Sequence, residues 1–226
     1  MLAPPANPQA ERNPLADILV IGIDEAGRGS ALGPLVVAGC AVAEGRMARL
    51  AGLGLADSKA LSPAQRRALD PEIRGVAERI ILHSIPPRQI DLAVARGGLN
   101  GAEISAMLDI IRQAWPCRVF VDALTSRPKK FGMQLESLLA PLRVEIVAEN
   151  HADAKYPVVQ AASIIAKVSR DAEIDRLKER WGETGSGYPG DPATKAFLAG
   201  FAKTGDWPEC VRRSWKTIAR FEEKAI

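Results

Sequence analysis

The chain has 226 residues, 47% of them apolar and 25% charged, with a formal net charge of +3 and a pI near 8.8. That composition suffices for a globular core and is too mildly basic to require an acidic partner. Three cysteines, Cys40, Cys117 and Cys210, stand far apart and outside any CxxC pair; they exclude a disulfide framework and a cysteine zinc site, and no run reaches the ~18 apolar residues of a membrane span. A cytoplasmic protein with a reducing interior is expected.

Residues 1–14, MLAPPANPQAERNP, lack a basic start followed by an apolar core and read as a disordered arm. Two runs rich in Val and Ile, 18–23 and 35–42, flank a Gly- and Pro-punctuated turn and are expected to be neighbouring strands. Further strands are expected at 80–85, 118–121 and 144–148. Ser62 before Pro63 marks a helix start, and Asn100 with Glu103 has the spacing of a capping box for a helix to about Trp115. Another helix is expected at 132–139, and the longest runs from Pro157 to Trp181. Strands alternating with helices predict an α/β domain with a mixed, helix-flanked sheet over residues 15–181. After Trp181 come the turn cluster GSGYPGDP and helices near 194–203 and 208–223, so residues 182–226 are expected to be a helical extension packed on the same domain.

Four acidic residues sit where a sheet protein gains little from them. Asp24 and Glu25 follow the first apolar run, Asp122 closes VFVD, and Asp153 precedes the long helix in NHADAKYP. Individually each has a plain structural reading: a salt-bridged strand end, a turn, or a charge favoured by a helix N-terminus. Together they mark the sheet edge where strand ends and helix starts form a crevice. Convergent carboxylates repel one another without a cation, and an oxygen-only set with two histidines in the whole chain selects Mg²⁺ or Mn²⁺ over softer metals. The glycine-rich segment after Glu25 is no phosphate loop of the GxxxxGK type, because Gly33-Pro34 leads into a strand. Arg28 is either a phosphate contact or solvated surface charge.

The blocks DEAGRGSALGP (24–34), LADSKALSPAQR (55–66), VDAL (121–124), ADAKYPVVQAASIIAKVSRD (152–171), GSGYPGDPATK (185–195) and VRRSWKT (211–217) resemble, in order, the type 2 ribonucleases H, the ribonuclease HII family, in its archaeal and eukaryotic branch. His151 departs from the pattern, since relatives often carry lysine there. The resemblance implies a ribonuclease H-like mixed sheet flanked by helices, with a C-terminal helical extension. It also implies a metal-dependent endonuclease that cuts the RNA strand of RNA–DNA hybrids and nicks 5′ of single ribonucleotides in duplex DNA, leaving a 3′-hydroxyl and a 5′-phosphate.

On this resemblance Asp24, Glu25, Asp122 and Asp153 would hold two Mg²⁺ or Mn²⁺ ions. Gly27, Arg28, Gly29 and Tyr188 would read the ribose, while Ser58, Lys59, Lys155, Ser163 and Lys167 would be candidate phosphate-backbone contacts. Tyr188 could otherwise be a packed turn residue, Lys167 a solvated charge and Ser163 a small residue allowing close helix packing. The terminal ARFEEKAI lacks the glutamine and paired aromatics of a sliding-clamp peptide, so no clamp is expected, and a monomer is. Alternatives of other classes are a non-catalytic nucleic-acid-binding relative and an actin- or sugar-kinase-like ATPase, the latter needing a second domain and further nucleotide loops.

Overall fold

The computed structural model describes residues 19–55 and 60–225. The expected arm at 1–14, the start of the first strand, Ser58 and Lys59 lie outside the described residues. Five strands form one sheet in the order β3-β2-β1-β4-β5: β1 Leu19–Ala26, β2 Leu35–Ala43, β3 Arg79–Ile85, β4 Cys117–Asp122 and β5 Glu145–Glu149. The first three run antiparallel as a meander, and β4 and β5 join parallel on the other side of β1. Helix α1 covers Met47–Ala51, α2 Pro63–Val76, α3 Pro87–Ala95, α4 Asn100–Ala114, α5 Pro128–Leu139, α6 Pro157–Trp181, α7 Pro192–Ala202 and α8 Lys216–Ala225. None of the described helices is long and apolar enough to cross a membrane. With one such sheet among the described residues, the two-domain ATPase alternative has no structural counterpart.

Strand alternation divides the core. Ile21 and Ile23 on one face of β1 pack with Ala106, Met107, Ile110 and Ile111 of α4. Val20 and Ala26, on the opposite face, pack with Val158, Val159 and Ala162 of α6. Each of these large apolar side chains, being shut off from water, contributes about 1.5–3 kcal/mol. Both faces of β1 are therefore covered, which is why its sequence is a nearly continuous apolar run.

Several boundaries differ from the sequence reading. Asp24 and Glu25 do not end the first strand; both lie inside β1, paired with Ala38 and Val37 of β2. The capping box expected at Asn100 and Glu103 does not form: Leu99 occupies the N-cap position without a side-chain cap, and both polar side chains turn to Arg28 instead. Ser62 does form a capping box, accepting from the Gln65 amide while Gln65 accepts from the Ser62 amide. Helices α1 and α3 were not expected, and α8 starts eight residues later than the predicted 208. Residues 208–215 instead form turns in which Val211 bridges Leu32, because Trp207, Cys210 and Val211 are needed in a third cluster with Ala31, Leu32, Leu198 and Ile218.

The tightest contact in the sheet-helix packing is at Gly22. A Cβ there would lie 2.1 Å from the Val158 carbonyl carbon and 2.4 Å from the Val159 nitrogen, both main-chain atoms that cannot rotate away. Gly22→Ala is therefore expected to destabilise the protein by about 3 kcal/mol or more. Gly75→Ala, in exposed α2 with nothing near its Cβ, is expected to be neutral or to stabilise by up to about 1 kcal/mol. Urea denaturation of the two variants checks the contrast, and equal stabilities would show that α6 is free to step back from β1.

Candidate active site

The parallel ladder between β1 and β4 ends at the Ile23–Val121 pair, so Asp24 and Asp122 stand side by side just beyond it. Register places both side chains on the α6 face, where Phe120 of β4 packs against Tyr156 with ring centroids 4.6 Å apart. Asp153 enters the same region from the short 3₁₀ turn Ala152–Ala154 that leads into α6. The Asp122 carboxylate accepts from the Ala152 amide at 3.2 Å, tying the end of β4 to that turn. His151, which opens the turn, takes the left-handed conformation at φ 58°, uncommon for a residue with a side chain.

Asp24 is only 6% exposed and Asp153 only 4%. Burial pushes the Asp24 carboxyl up to about 6, with further upward pressure from Asp122 and Asp153, against hydrogen bonds from Ser163 and the Glu25 amide that favour its charged form. Glu25, one residue along, points to the α4 face and is held well above the usual carboxylate range by burial and then by Asp24, Glu103 and Asp122, with Arg28 opposing. Its Oε2 is buried without a hydrogen-bond partner. Among the described residues no three or more Asp, Glu, His or Cys side chains close into a ready-made cation cage. What the fold assembles is an acidic cluster in which burial and the neighbouring carboxylates raise the proton affinity of Asp24 and Glu25. Such a cluster, all oxygen and with an orphaned buried carboxylate oxygen, fits hard divalent ions.

The loop after β1 carries the next candidates. Gly27 has φ +90°, and a Cβ there would sit 2.9 Å from the Pro34 carbonyl oxygen, so only glycine suits the position. Gly29 has open space around its Cα, leaving the backbone uncovered. Arg28 extends toward α4, where Nη2 donates to Asn100 Oδ1 at 2.5 Å and Nε lies 3.1 Å from Glu103 Oε1. Its guanidinium is thus paired on α4, with the side chain still 38% exposed.

Tyr188 is 40% exposed, and its ring lies under the Arg170 guanidinium with 4.5 Å between the guanidinium carbon and the ring centroid. It lines a groove of about 320 Å³ together with Arg66, Arg67, Arg170, Lys178 and Ser186. A larger concavity of about 690 Å³ between α5 and β5 includes none of the four carboxylates.

The remaining candidates diverge. Ser163, expected at the substrate backbone, is fully buried beneath Asp24 and accepts from Lys167 Nζ at 3.0 Å; it is placed to act on the carboxylate. Lys167 accordingly points inward along α6 instead of standing as a solvated charge. Lys155 is exposed and pairs with Glu149, which also accepts from the Tyr156 hydroxyl at 2.8 Å.

Sequence reasoning missed the two buried arginines that join these parts. Arg170 Nη2 donates to Ser30 Oγ at 2.9 Å and to the Ser186 carbonyl. Arg212, fully buried, donates from Nε to the Gly33 carbonyl at 2.9 Å and from Nη1 to the Arg28 carbonyl at 3.1 Å. Ser30 Oγ also reaches the Gly187 carbonyl at 2.8 Å, so the loop after β1 and the turn holding Tyr188 are bound into one unit. The only sequence signal was their place in the blocks SRD and VRRSW.

Residues 21–218 match the family model described as Ribonuclease HII. The ribonuclease HII of Thermococcus onnurineus is 41% identical over 206 residues, which cover 90% of this chain and 89% of that protein. The crystal structure of the ribonuclease H2 from Pyrococcus horikoshii OT3 superposes with a TM-score of 0.85 at 37% identity, covering 92% of this chain and 99% of that one. The structure of the PCNA:RNase HII complex from Archaeoglobus fulgidus matches with a TM-score of 0.82 at 41% identity, covering 88% of this chain and 96% of that one. A buried acidic cluster at the edge of a mixed sheet, read with these matches across nearly the whole described chain, establishes that the protein belongs to the ribonuclease HII family.

Proposed function

We propose that this protein is a divalent-metal-dependent endonuclease that cuts the RNA strand of RNA–DNA hybrids and nicks duplex DNA on the 5′ side of a single ribonucleotide, leaving a 3′-hydroxyl and a 5′-phosphate. The observation that carries the reading is the union of two elements at one edge. The carboxylates of β1 and β4 lie beside a loop whose uncovered backbone at Gly29 is cross-linked through Ser30 and Arg170 to the Tyr188 turn. Distinguishing RNA from DNA requires contact with the 2′-hydroxyl, and a glycine-flanked backbone lets main-chain groups approach a sugar closely.

In this reading Asp24, Glu25, Asp122 and Asp153 hold the ions. When bound, divalent ions supply Lewis-acid activation of water and of the scissile phosphate. The protein's own side chains orient and shield. Ser163, braced by Lys167, keeps Asp24 in place and favours its ionised form. The Ala152 amide fixes Asp122. Gly27, Arg28 and Gly29 present main-chain groups to the ribose, and the Tyr188 ring, backed by Arg170, offers a flat face to the neighbouring sugar. Attack at phosphorus breaks the bond to the 3′-oxygen of the preceding nucleotide, which accounts for the two product ends.

Because burial lifts Asp24 to about 6, the folded chain holds that proton more tightly than the unfolded chain. Metal-free stability should therefore decline as pH rises from about 4 to about 6. Ion binding must displace protons, so apparent Mg²⁺ or Mn²⁺ affinity should strengthen from about pH 5 to about pH 8. Calorimetry in two buffers of different ionisation enthalpy checks this, and binding without proton release at pH 6 would contradict it.

Asp122→Asn should lower nicking of a duplex with one embedded ribonucleotide by roughly a hundredfold or more, with an unchanged or higher metal-free melting temperature. Mapping the nick on a labelled strand tests the function itself: cleavage elsewhere than 5′ of the ribonucleotide, or full activity of Asp122→Asn, would refute it. Tyr188→Ala should impair the single-ribonucleotide substrate far more than a continuous hybrid, which offers many registers, and equal losses on both would reduce Tyr188 to a packed turn residue.

A further inference from the structure

Asn100 and Glu103 stand one helical turn apart on the same face of α4, and neither serves the helix terminus. Both grip Arg28. Asn100 Oδ1 accepts from Nη2 at 2.5 Å and Glu103 Oε1 lies 3.1 Å from Nε. The burials are unequal: the Glu103 side chain is 0% exposed, whereas that of Arg28 is 38% exposed. A carboxylate so deeply placed requires a cation to offset its lost hydration, and Arg28 and Arg212 are the charges that favour its ionised form. Arg212 meanwhile holds the Arg28 and Gly33 carbonyls. The arginine between the two glycines is thus fixed at its side chain by α4 and at its main chain by the turn after α7.

We propose that Asn100 and Glu103 are positioning residues for ribose recognition: by clamping the Arg28 guanidinium between them they hold the backbone of Gly27, Arg28 and Gly29 in its reading pose, and the Arg28 side chain is an anchor, not a phosphate contact. The inference rests on the function proposed above. It has a chemical logic. An arginine freed from this clamp would be drawn to the nearby Glu25 carboxylate or to a substrate phosphate, and either movement would drag the sugar-reading backbone with it. Guanidinium geometry suits the task, since its fixed planar fork meets Asn100 and the Glu103 charge from two separate nitrogens, whereas an ammonium is one compact point charge.

Steady-state cleavage of a duplex with one ribonucleotide, in saturating Mg²⁺ and over a range of salt, tests the clamp. Asn100 is exposed, so its variants should fold, and Glu103→Gln supplements them if it proves stable. Asn100→Ala is expected to lower kcat about tenfold, the scale of one hydrogen bond to a charged group, with KM within about twofold of the parent. Asn100→Asp keeps the acceptor and should restore the rate, a rescue that a change in overall stability would not produce. Arg28→Lys should reproduce the Asn100→Ala loss, while Arg28→Ala leaves the salt dependence of KM at the parental slope. A parental kcat in Asn100→Ala, no rescue by Asn100→Asp, or an Arg28→Ala protein whose salt slope falls by about one phosphate contact would overturn the anchor. Failure of the parent protein to nick the substrate at all would instead overturn the function reading, and the ribose-reading role with it.

Discussion

Helix α6 lies against β1 with main chain on main chain at Gly22, where no side chain fits between the strand and the Val158 carbonyl. From that contact the site follows along one helix. Asp153 enters in the turn before α6; Ser163 lies under Asp24, with Lys167 one turn later on Ser163. Arg170 then meets Ser30 and the Tyr188 ring, and Ile174 and Leu177 reach Gly33. A larger residue at 22 would lift the whole series, because the spacing of the groups along α6 is rigid at 1.5 Å per residue. Acidic cluster and recognition loop are thus coupled through a shared rigid element.

The two faces of β1 do different chemical work. Asp24 faces α6, where Ser163 and the Glu25 amide stabilise its ionised form. Glu25 faces α4, where it meets a second buried carboxylate, Glu103, and the Arg28 that offsets both. Adjacent carboxylates on a strand point apart, so two consecutive residues can belong to one cluster and yet have separate supporting shells. The proton affinity of each is raised for the same leading reason, loss of water, but the neighbours that moderate it differ.

The C-terminal segment contributes differently. Trp207, Cys210, Val211, Leu198 and Ile218 pack with Ala31 and Leu32, and from within this cluster Arg212 extends into the loop after β1. The apolar packing supplies the anchorage, and the buried guanidinium satisfies carbonyls that the loop's turns leave without partners. A buried cation of this kind stabilises little by itself; its contribution is to limit the loop to one arrangement.

How much of this was legible in the chain follows from range. Local signals were sufficient for the five strands, for the start of α2 at Ser62 and for the length of α6, because periodicity and capping act between near neighbours. Ordered motifs were sufficient for the family, since DEAG, VDAL and ADAKY keep their order in the sequence. What the chain could not disclose by itself was whom a polar side chain would meet. Asn100 and Glu103 have a capping spacing, yet both side chains meet the Arg28 guanidinium, distant in sequence, instead of the α4 amides. Ser163 read as a small packing residue or a phosphate-backbone contact, and only the descent of α6 onto Gly22 placed its hydroxyl beneath Asp24. Arg170 and Arg212 carry no local sign of their burial; only the tertiary structure removed their water and gave them carbonyls as partners. The sequence by itself determined the elements and the residues able to do chemistry; the tertiary structure decided which charges are buried together, because desolvation and charge pairing depend on distance in space.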